Sequence, residues 1–303
     1  MTIAQWLKSC GLNPKMALEL IAHVLKIGIF DQTAYYVTHQ DDKLSKDRIK
    51  TLDEYTARII QGEPIQYVLG HASFGDLDLI VDSRVLIPRP ETEELVDLVI
   101  RHLNSLHPPS SITHPLVIVD VGTGSGAIAV ALAKWCVKHQ LPAQIIATDV
   151  SKDALKVAEL NIENCLPLET PSIVERVEWG KLEIENSNIK IKLKLGHLLK
   201  PIKRQVDVIV ANLPYIPTSE MTSLPKNVRD FEPHLALDGG AEGLDLITDL
   251  INDAKRVLKP NGLIFLELWD EHTFQMLNFP EFTTEIKPDS FGRTRFAVLT
   301  QSS

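Results

Sequence analysis

A chain of 303 residues with 44% apolar and 23% charged side chains suits one large domain or two smaller ones, and this balance excludes wholesale disorder. A formal net charge of -9 argues against a dedicated nucleic-acid binder, which needs a basic surface. The three cysteines, Cys10, Cys136 and Cys165, and the ten histidines show neither metal-ligand nor redox-motif spacing, so reduced thiols and no metal are expected.

The N-terminal stretch "MTIAQWLKSCGL" lacks the basic-then-apolar pattern of a signal peptide. No apolar run approaches the roughly 18 residues that span a bilayer. A soluble, cytoplasmic protein with no membrane contact is expected. Residues 1–70 read as helices: Leu18, Ile21, Ala22 and Leu25 repeat at helical spacing, and so do Ile49, Leu52, Thr56 and Ile59. Pro14 suits a first helical turn, while Gly28 and Gly62 suit helix ends. Between 67 and 81, apolar and polar residues alternate around Gly75-Asp76, which signals a hairpin. A helix is expected from Glu91, with Leu95, Leu98, Val99 and Leu103 as its buried stripe.

After the Pro/Ser loop "HPPSS" the pattern alternates. "LVIVDVG" reads as a strand, "GAIAVALAKW" as a helix, "QIIATDV" as a strand and "DALKVAELNIEN" as a helix. Further strands are expected at 173–179, 189–195, 206–211, 262–269 and 294–299. Such alternation predicts an α/β fold with a doubly wound, mostly parallel sheet. The organisation expected is a helical domain over 1–70, a hairpin linker over 71–88 and an α/β domain over 89–303. The basic run "KIKLKLGHLLKPIKR" reads as a half-exposed strand with a solvated lysine face, or as a basic docking stripe.

Three motifs carry chemistry. In "VDVGTGSGAIAVALA", Gly122, Thr123, Gly124, Ser125 and Gly126 form the turn from a buried strand into a helix. Side-chain-free positions let a ligand reach the backbone, and helix N-terminal amides favour polar groups. The spacing G-x-G-x-G, rather than G-x-G-x-x-G, favours S-adenosylmethionine over a dinucleotide. Asp149 ends the next strand, where a carboxylate can hold two ribose hydroxyls, although it could instead cap the next helix, as Ser151 could. The third motif is Asn212-Leu213-Pro214-Tyr215, at the end of the strand "DVIVA". It is either a plain turn or a clamp for a planar NH2 group: the Asn carbonyl and a backbone carbonyl accept its two hydrogens, and the Tyr ring stacks on its face.

On these motifs, together with "GEPIQYVLG", "VLIPRPETEELV", "FEPHLALDGGAEGLDLI" and "FGRTRFAV", the chain resembles the HemK-type protein-(glutamine-N5) methyltransferases over essentially its whole length. Members of that family methylate the glutamine of the GGQ motif in peptide-chain release factors. The resemblance implies a Rossmann-like S-adenosylmethionine-dependent methyltransferase fold, with a small N-terminal helical domain that helps to recognise a release factor. It implies that Gly122 to Gly126 wrap the methionine part of the cofactor, that Asp149 holds its ribose, and that Asn212 touches both cofactor and substrate. Asn212, Pro214 and Tyr215 would be catalytic, and Asn212 to Tyr215 would clamp the glutamine. "IPRPETE", residues 87–93, would line and support the cleft.

Two positions depart from the family pattern. Leu213 stands at the second position of a motif that relatives generally carry as Asn-Pro-Pro-Tyr, and Gly196-His197 stands where they often carry an acidic-aromatic pair near the adenine. His197 is read as a cofactor contact, or as a strand-end surface histidine. Leu213 keeps the carbonyl the clamp needs, so its expected cost is about 1 kcal/mol of lost rigidity. The rival readings are glutamine methylation of a ribosomal protein, adenine-N6 methylation of nucleic acid, and a non-catalytic binding relative. The expected partner is a release factor, met by a monomer without direct nucleic-acid contact.

Overall fold

The computed structural model describes all of the chain except residues 28–31, 107–113, 167–174, 177–181, 187, 273, 278 and 302–303. Gly28, the "HPPSS" loop and most of the strand expected at 173–179 therefore lie outside the described residues. The chain divides into two compact units: Met1–His71 with Pro225–Phe231, and Ala72–Leu224 with Glu232–Ser303.

In the first unit, α1 (Ile3–Ser9) starts at a capping box formed by Thr2 and Gln5. The second helix, α2 (Pro14–Leu25), has Asn13 as its cap and proline in its first turn, and it ends at Lys26 in a left-handed conformation. Helices α3 (Gln32–His39), α4 (Lys46–Ile60, capped by Ser45) and α5 (Ile65–Leu69) follow. Ile3, Trp6, Leu20, Ile21 and Leu52 form the core, and the Trp6 indole donates to Asp53 at 3.1 Å. The stripe on α2 centres on Ala17, Leu20 and Ile21. Tyr67, Val68 and Leu69 lie in α5, where the alternation suggested a strand; Pro64 opens that single helical turn and Gly70, at φ 81°, closes it. A later segment also belongs to this unit: α9 (Lys226–Arg229) sits beside Gly62, and the Lys226 ammonium donates to the Gln61 carbonyl at 2.9 Å.

The second unit holds the hairpin of β1 (His71–Phe74, from Ala72 on) and β2 (Leu77–Ile80), then α6 (Pro90–Leu106). The hairpin is no free linker: Phe74, Leu77 and Leu79 are buried in the unit's core with Leu95, Val99 and Leu103 of α6. Next come β3 (Leu116–Val121), α7 (Ala127–Lys138), β4 (Ala143–Asp149) and α8 (Lys152–Cys165). Strands β5 (Glu175–Arg176), β6 (Leu182–Asn186), β7 (Ile189–Leu195) and β8 (Val206–Ala211) follow. The chain finishes with α10 (Asp245–Val257), β9 (Leu258–Glu267), β10 (Phe282–Pro288) and β11 (Thr294–Gln301).

Among the described residues, and apart from the two-stranded hairpin β1-β2, the strands form a nine-stranded sheet in the order β10-β11-β9-β8-β3-β4-β7-β6-β5. Its centre, β9-β8-β3-β4-β7, is parallel, and both flanks are antiparallel. The pleat sends alternate residues to opposite cores. Ile118, Ile145 and Val210 face α6, α7 and α8 on one side; Val119, Ile146 and Ile209 face α10 on the other. Such strands are apolar on both faces because helices cover both. In β7 the lysines 190, 192 and 194 alternate with the buried Ile189, Ile191 and Leu193, which is the half-exposed strand pattern.

Candidate active site

The parallel strands β3, β4, β7, β8 and β9 all run in one direction, and their carboxyl ends present Gly122, Asp149, Gly196, Asn212 and Glu267 at one edge. Ligands in open α/β sheets bind at that edge. A cavity of about 250 Å³ lies there, lined by the glycine loop, Asp149, His197, Asn212, Leu213 and Pro214, among others.

The loop between β3 and α7 is held from below. Gly122, Gly124 and Gly126 have φ of 72°, 54° and 83°, values that only glycine adopts without strain. The amides of Gly122 and Thr123 both donate to the Thr148 carbonyl at 2.9 Å. Beneath them Asp120, wholly buried, accepts from the Thr123 hydroxyl at 2.6 Å and from the Ala129 amide at 3.1 Å. Its other oxygen has no partner among the described residues. Burial pushes its carboxyl up to about 7, against those two bonds. A Cβ at Gly124 would meet nothing closer than the Gly122 carbonyl at 4.0 Å, so the loop leaves its backbone open on that side. Gly126 does not line the cavity: it allows α7 to approach α8, since a Cβ there would stand 3.1 Å from that of Ala158. Buried Asn161 ties the loop to the hairpin, donating to the carbonyls of Ser125 (2.8 Å) and Ile80 (2.9 Å).

The side-chain cap of α8 is Ser151, not Asp149, and it accepts from the Ala154 amide at 3.1 Å. Asp149 instead accepts from the amides of Gly124 (2.9 Å) and Ser151 (2.8 Å) and lines the cavity. Burial raises its pKa, opposed by those amides and that of Val150. His197 also lines the cavity. The glycine before it is required by packing: a Cβ on Gly196 would meet Pro201 Cγ at 2.3 Å.

At the end of β8, the Asn212 amide Nδ2 donates to Thr92 Oγ1 at 2.9 Å. Thr92, near the start of α6, donates in turn to Glu267 Oε2 at 2.8 Å, and the Tyr215 hydroxyl donates to Glu267 Oε1 at 3.0 Å. Burial pushes Glu267 up to about 6, countered by those two bonds and by Arg295. Burial and the Glu267 charge raise the Tyr215 pKa. The ring of Tyr215 lies 6.3 Å from that of Trp269 and is absent from the cavity lining. Its hydroxyl is anchored on Glu267. Leu213 is buried against the core beneath α10, and Pro214 lines the cavity.

Two downstream motifs brace this corner. Glu232 accepts from the Arg89 guanidinium at 2.5 Å and from the Ile87 amide at 3.3 Å, joining "FEPHLALDGG" to "IPRPETE". Gly239 and Gly243 press on the clamp's backbone; a Cβ on Gly239 would sit 2.6 Å from the Pro214 carbonyl, and one on Gly243 2.1 Å from that of Tyr215. Sequence reasoning missed Glu267, Asn161 and the reason for these glycines. Only Gly239 left a readable signal, as the first of the pair Gly239-Gly240.

Residues 4–70 match the family described as PrmC N-terminal domain, and residues 97–230 match that described as ribosomal protein L11 methyltransferase. The chain is 34% identical to the release factor glutamine methyltransferase of Koribacter versatilis, over 84% of this chain and 79% of that one. It is 35% identical to the enzyme of the same name from Lactococcus lactis (84% and 83% covered), and 31% identical to that of Streptococcus pneumoniae (88% and 85%). With such identity over most of both chains, this chain belongs to the release factor glutamine methyltransferase family.

Proposed function

We propose that the protein transfers a methyl group from S-adenosylmethionine to the side-chain amide nitrogen of the GGQ glutamine in a peptide-chain release factor. The observation that carries this reading is the convergence of the open glycine loop, Asp149 and Asn212 on one cavity. The residues present fit the cofactor. The backbone at Gly122 and Gly124 accommodates its amino-acid part, Asp149 offers a carboxylate to its ribose, and His197 flanks the space for its base. When bound, S-adenosylmethionine supplies a sulfonium methyl group, whose carbon–sulfur bond breaks as the bond to the amide nitrogen forms, with one proton of that nitrogen passing to water.

The protein's task is to aim a poor nucleophile. An amide lone pair is delocalised into its carbonyl. Asn212 Oδ1 and the Leu213 carbonyl would accept the two hydrogens of the glutamine NH2 and direct its nitrogen. Positioning of this kind is worth about 7–11 kcal/mol at best. The same acceptors stabilise the positive charge that develops on the nitrogen. No residue of ordinary basicity need remove a proton first.

The net charge of -9 favours a protein acceptor over nucleic acid. The helical unit over residues 1–71 would recognise the release factor, and the protein would act as a monomer. We place it in the cytoplasm, where such an acceptor works; among the described residues no helix is long and apolar enough to cross a membrane. Incubation with methyl-labelled S-adenosylmethionine and purified release factors, followed by peptide mass spectrometry, tests the reading. Label is expected on the GGQ glutamine; label on nucleic acid or on another protein alone would contradict it.

A further inference from the structure

Glu267 is 1% exposed at the end of β9, yet its two oxygens serve only Thr92 and Tyr215 among the hydrogen bonds of the described residues. A buried carboxylate is costly, and an uncharged side chain of similar volume fills such a place more cheaply. What a carboxylate alone guarantees is direction: when ionised it accepts and never donates. Thr92 has one hydroxyl proton, and it is given to Glu267 at 2.8 Å. Toward Asn212, the Thr92 oxygen can therefore act only as an acceptor. The end of the Asn212 amide that meets it must be the donor, Nδ2, which lies at 2.9 Å. The other end, Oδ1, has no partner among the described residues, and Asn212 lines the cavity.

We propose that Glu267 is a positioning residue: acting through Thr92, it locks the Asn212 amide with its oxygen toward the acceptor amide. The role rests on the glutamine-amide reading of the cavity and adds to it the group that orients the clamp. Without the lock, a half-turn of the Asn212 side chain would set NH2 against NH2, donor facing donor. Both partners of Glu267 are themselves held. Thr92 sits in the first turn of α6, its amide bonded to the Arg89 carbonyl at 3.0 Å, and Tyr215 follows Pro214 in the braced corner. The charged groups that act on Glu267 are Arg295 of β11, which favours the ionised form, and Glu91 of α6, which opposes it. Burial leaves the carboxyl titrating at about 6, so the lock holds at neutral pH and loosens in acid, where a protonated Glu267 can donate to Thr92.

The test compares wild type with Thr92→Val, Thr92→Ser and Glu267→Gln. Each is assayed for methyl transfer to a release factor from pH 5 to 8, and for cofactor affinity by calorimetry as a check on folding. Thr92→Val is expected to lose about 10- to 100-fold in kcat, the worth of one mispaired buried hydrogen bond. Cofactor affinity and KM for the release factor should change little, and Thr92→Ser should restore most of the loss. Glu267→Gln should show a similar deficit at pH 7.5 and lack the wild-type fall in kcat below about pH 6. Thr92→Val and Glu267→Gln turning over as fast as an active wild type would overturn the role alone. So would a Thr92→Ser as impaired as Thr92→Val. A wild type that methylates no release factor would overturn the reading of the site, and this role with it.

Discussion

The Cδ2 methyl of Leu213 occupies the space in front of Gly122, 2.9 Å from where a Cβ on that glycine would stand. The residue that stands in place of the first proline of the family's Asn-Pro-Pro-Tyr is therefore a packing element under the glycine loop as well as a source of a carbonyl. It is 4% exposed, in a core with Val121 and Leu244. Leu213→Ala is expected to cost about 2–4 kcal/mol, the range for a buried leucine truncation. Leu213→Pro, which keeps part of the volume and fixes φ, should cost less. Denaturant unfolding of the two variants checks this order; an Ala variant as stable as wild type would contradict it.

Gly239→Ala should damage the clamp without touching its side chains. The added methyl would lie 2.6 Å from the Pro214 carbonyl and 2.8 Å from the Tyr215 Cα, and these are backbone atoms that cannot swing aside. A loss of about 2 kcal/mol or more in stability is expected, the cost of overpacking a tight site. Turnover should fall with it, while cofactor affinity falls less. Thermal unfolding and steady-state kinetics measure the two effects.

Asp149→Ala should act in the opposite sense, on the cofactor first. Two hydrogen bonds to a charged acceptor are worth about 3 kcal/mol together, so S-adenosylmethionine affinity should drop roughly a hundredfold. Calorimetry with the cofactor alone reads this directly. An unchanged Kd would remove Asp149 from the ribose role.

Asp120 predicts a pH dependence of stability. Its folded pKa of about 7 lies above its ordinary 3.8, so the native state holds the proton more tightly than the unfolded state does. Stability from this source is complete below the lower value and is lost as pH rises through the higher one. Between pH 5.5 and 8 the loss is on the order of 2 kcal/mol. Asp120→Asn, neutral throughout and still able to offer an oxygen to Thr123 and Ala129, should lack that loss. Tm measured for both proteins at the two pH values tests it; parallel pH dependences would contradict it.

The motifs legible in the sequence were those whose residues serve one strand end each. Gly122, Gly124, Asp149 and Asn212 could be placed because an apolar run announces a buried strand and the next residues announce its mouth. Glu267 could not, because "LELW" carries no sign of its neighbours until β9 is known to lie beside β8. Thr92 fell within a motif read as support, but its partners lie far along the chain. Gly239 and Gly243 carry no sequence sign of the other backbone segment whose approach excludes side chains there. In the fold, α10 has a clear helical stripe of Ile247, Leu250, Ile251 and Ala254 for which sequence reading assigned no element. The strand β10 is an edge strand whose half-polar pattern resembles a loop. The hairpin was legible as a hairpin but not as core, because its apolar residues find their partners on α6.

The central claim is that Asn212 aims the acceptor amide. Single-turnover methyl transfer to a release factor by Asn212→Ala, at saturating S-adenosylmethionine, tests it most directly. Loss of positioning and of one charge-stabilising acceptor predicts a rate about a thousandfold below wild type. A variant within tenfold of wild type would contradict the clamp.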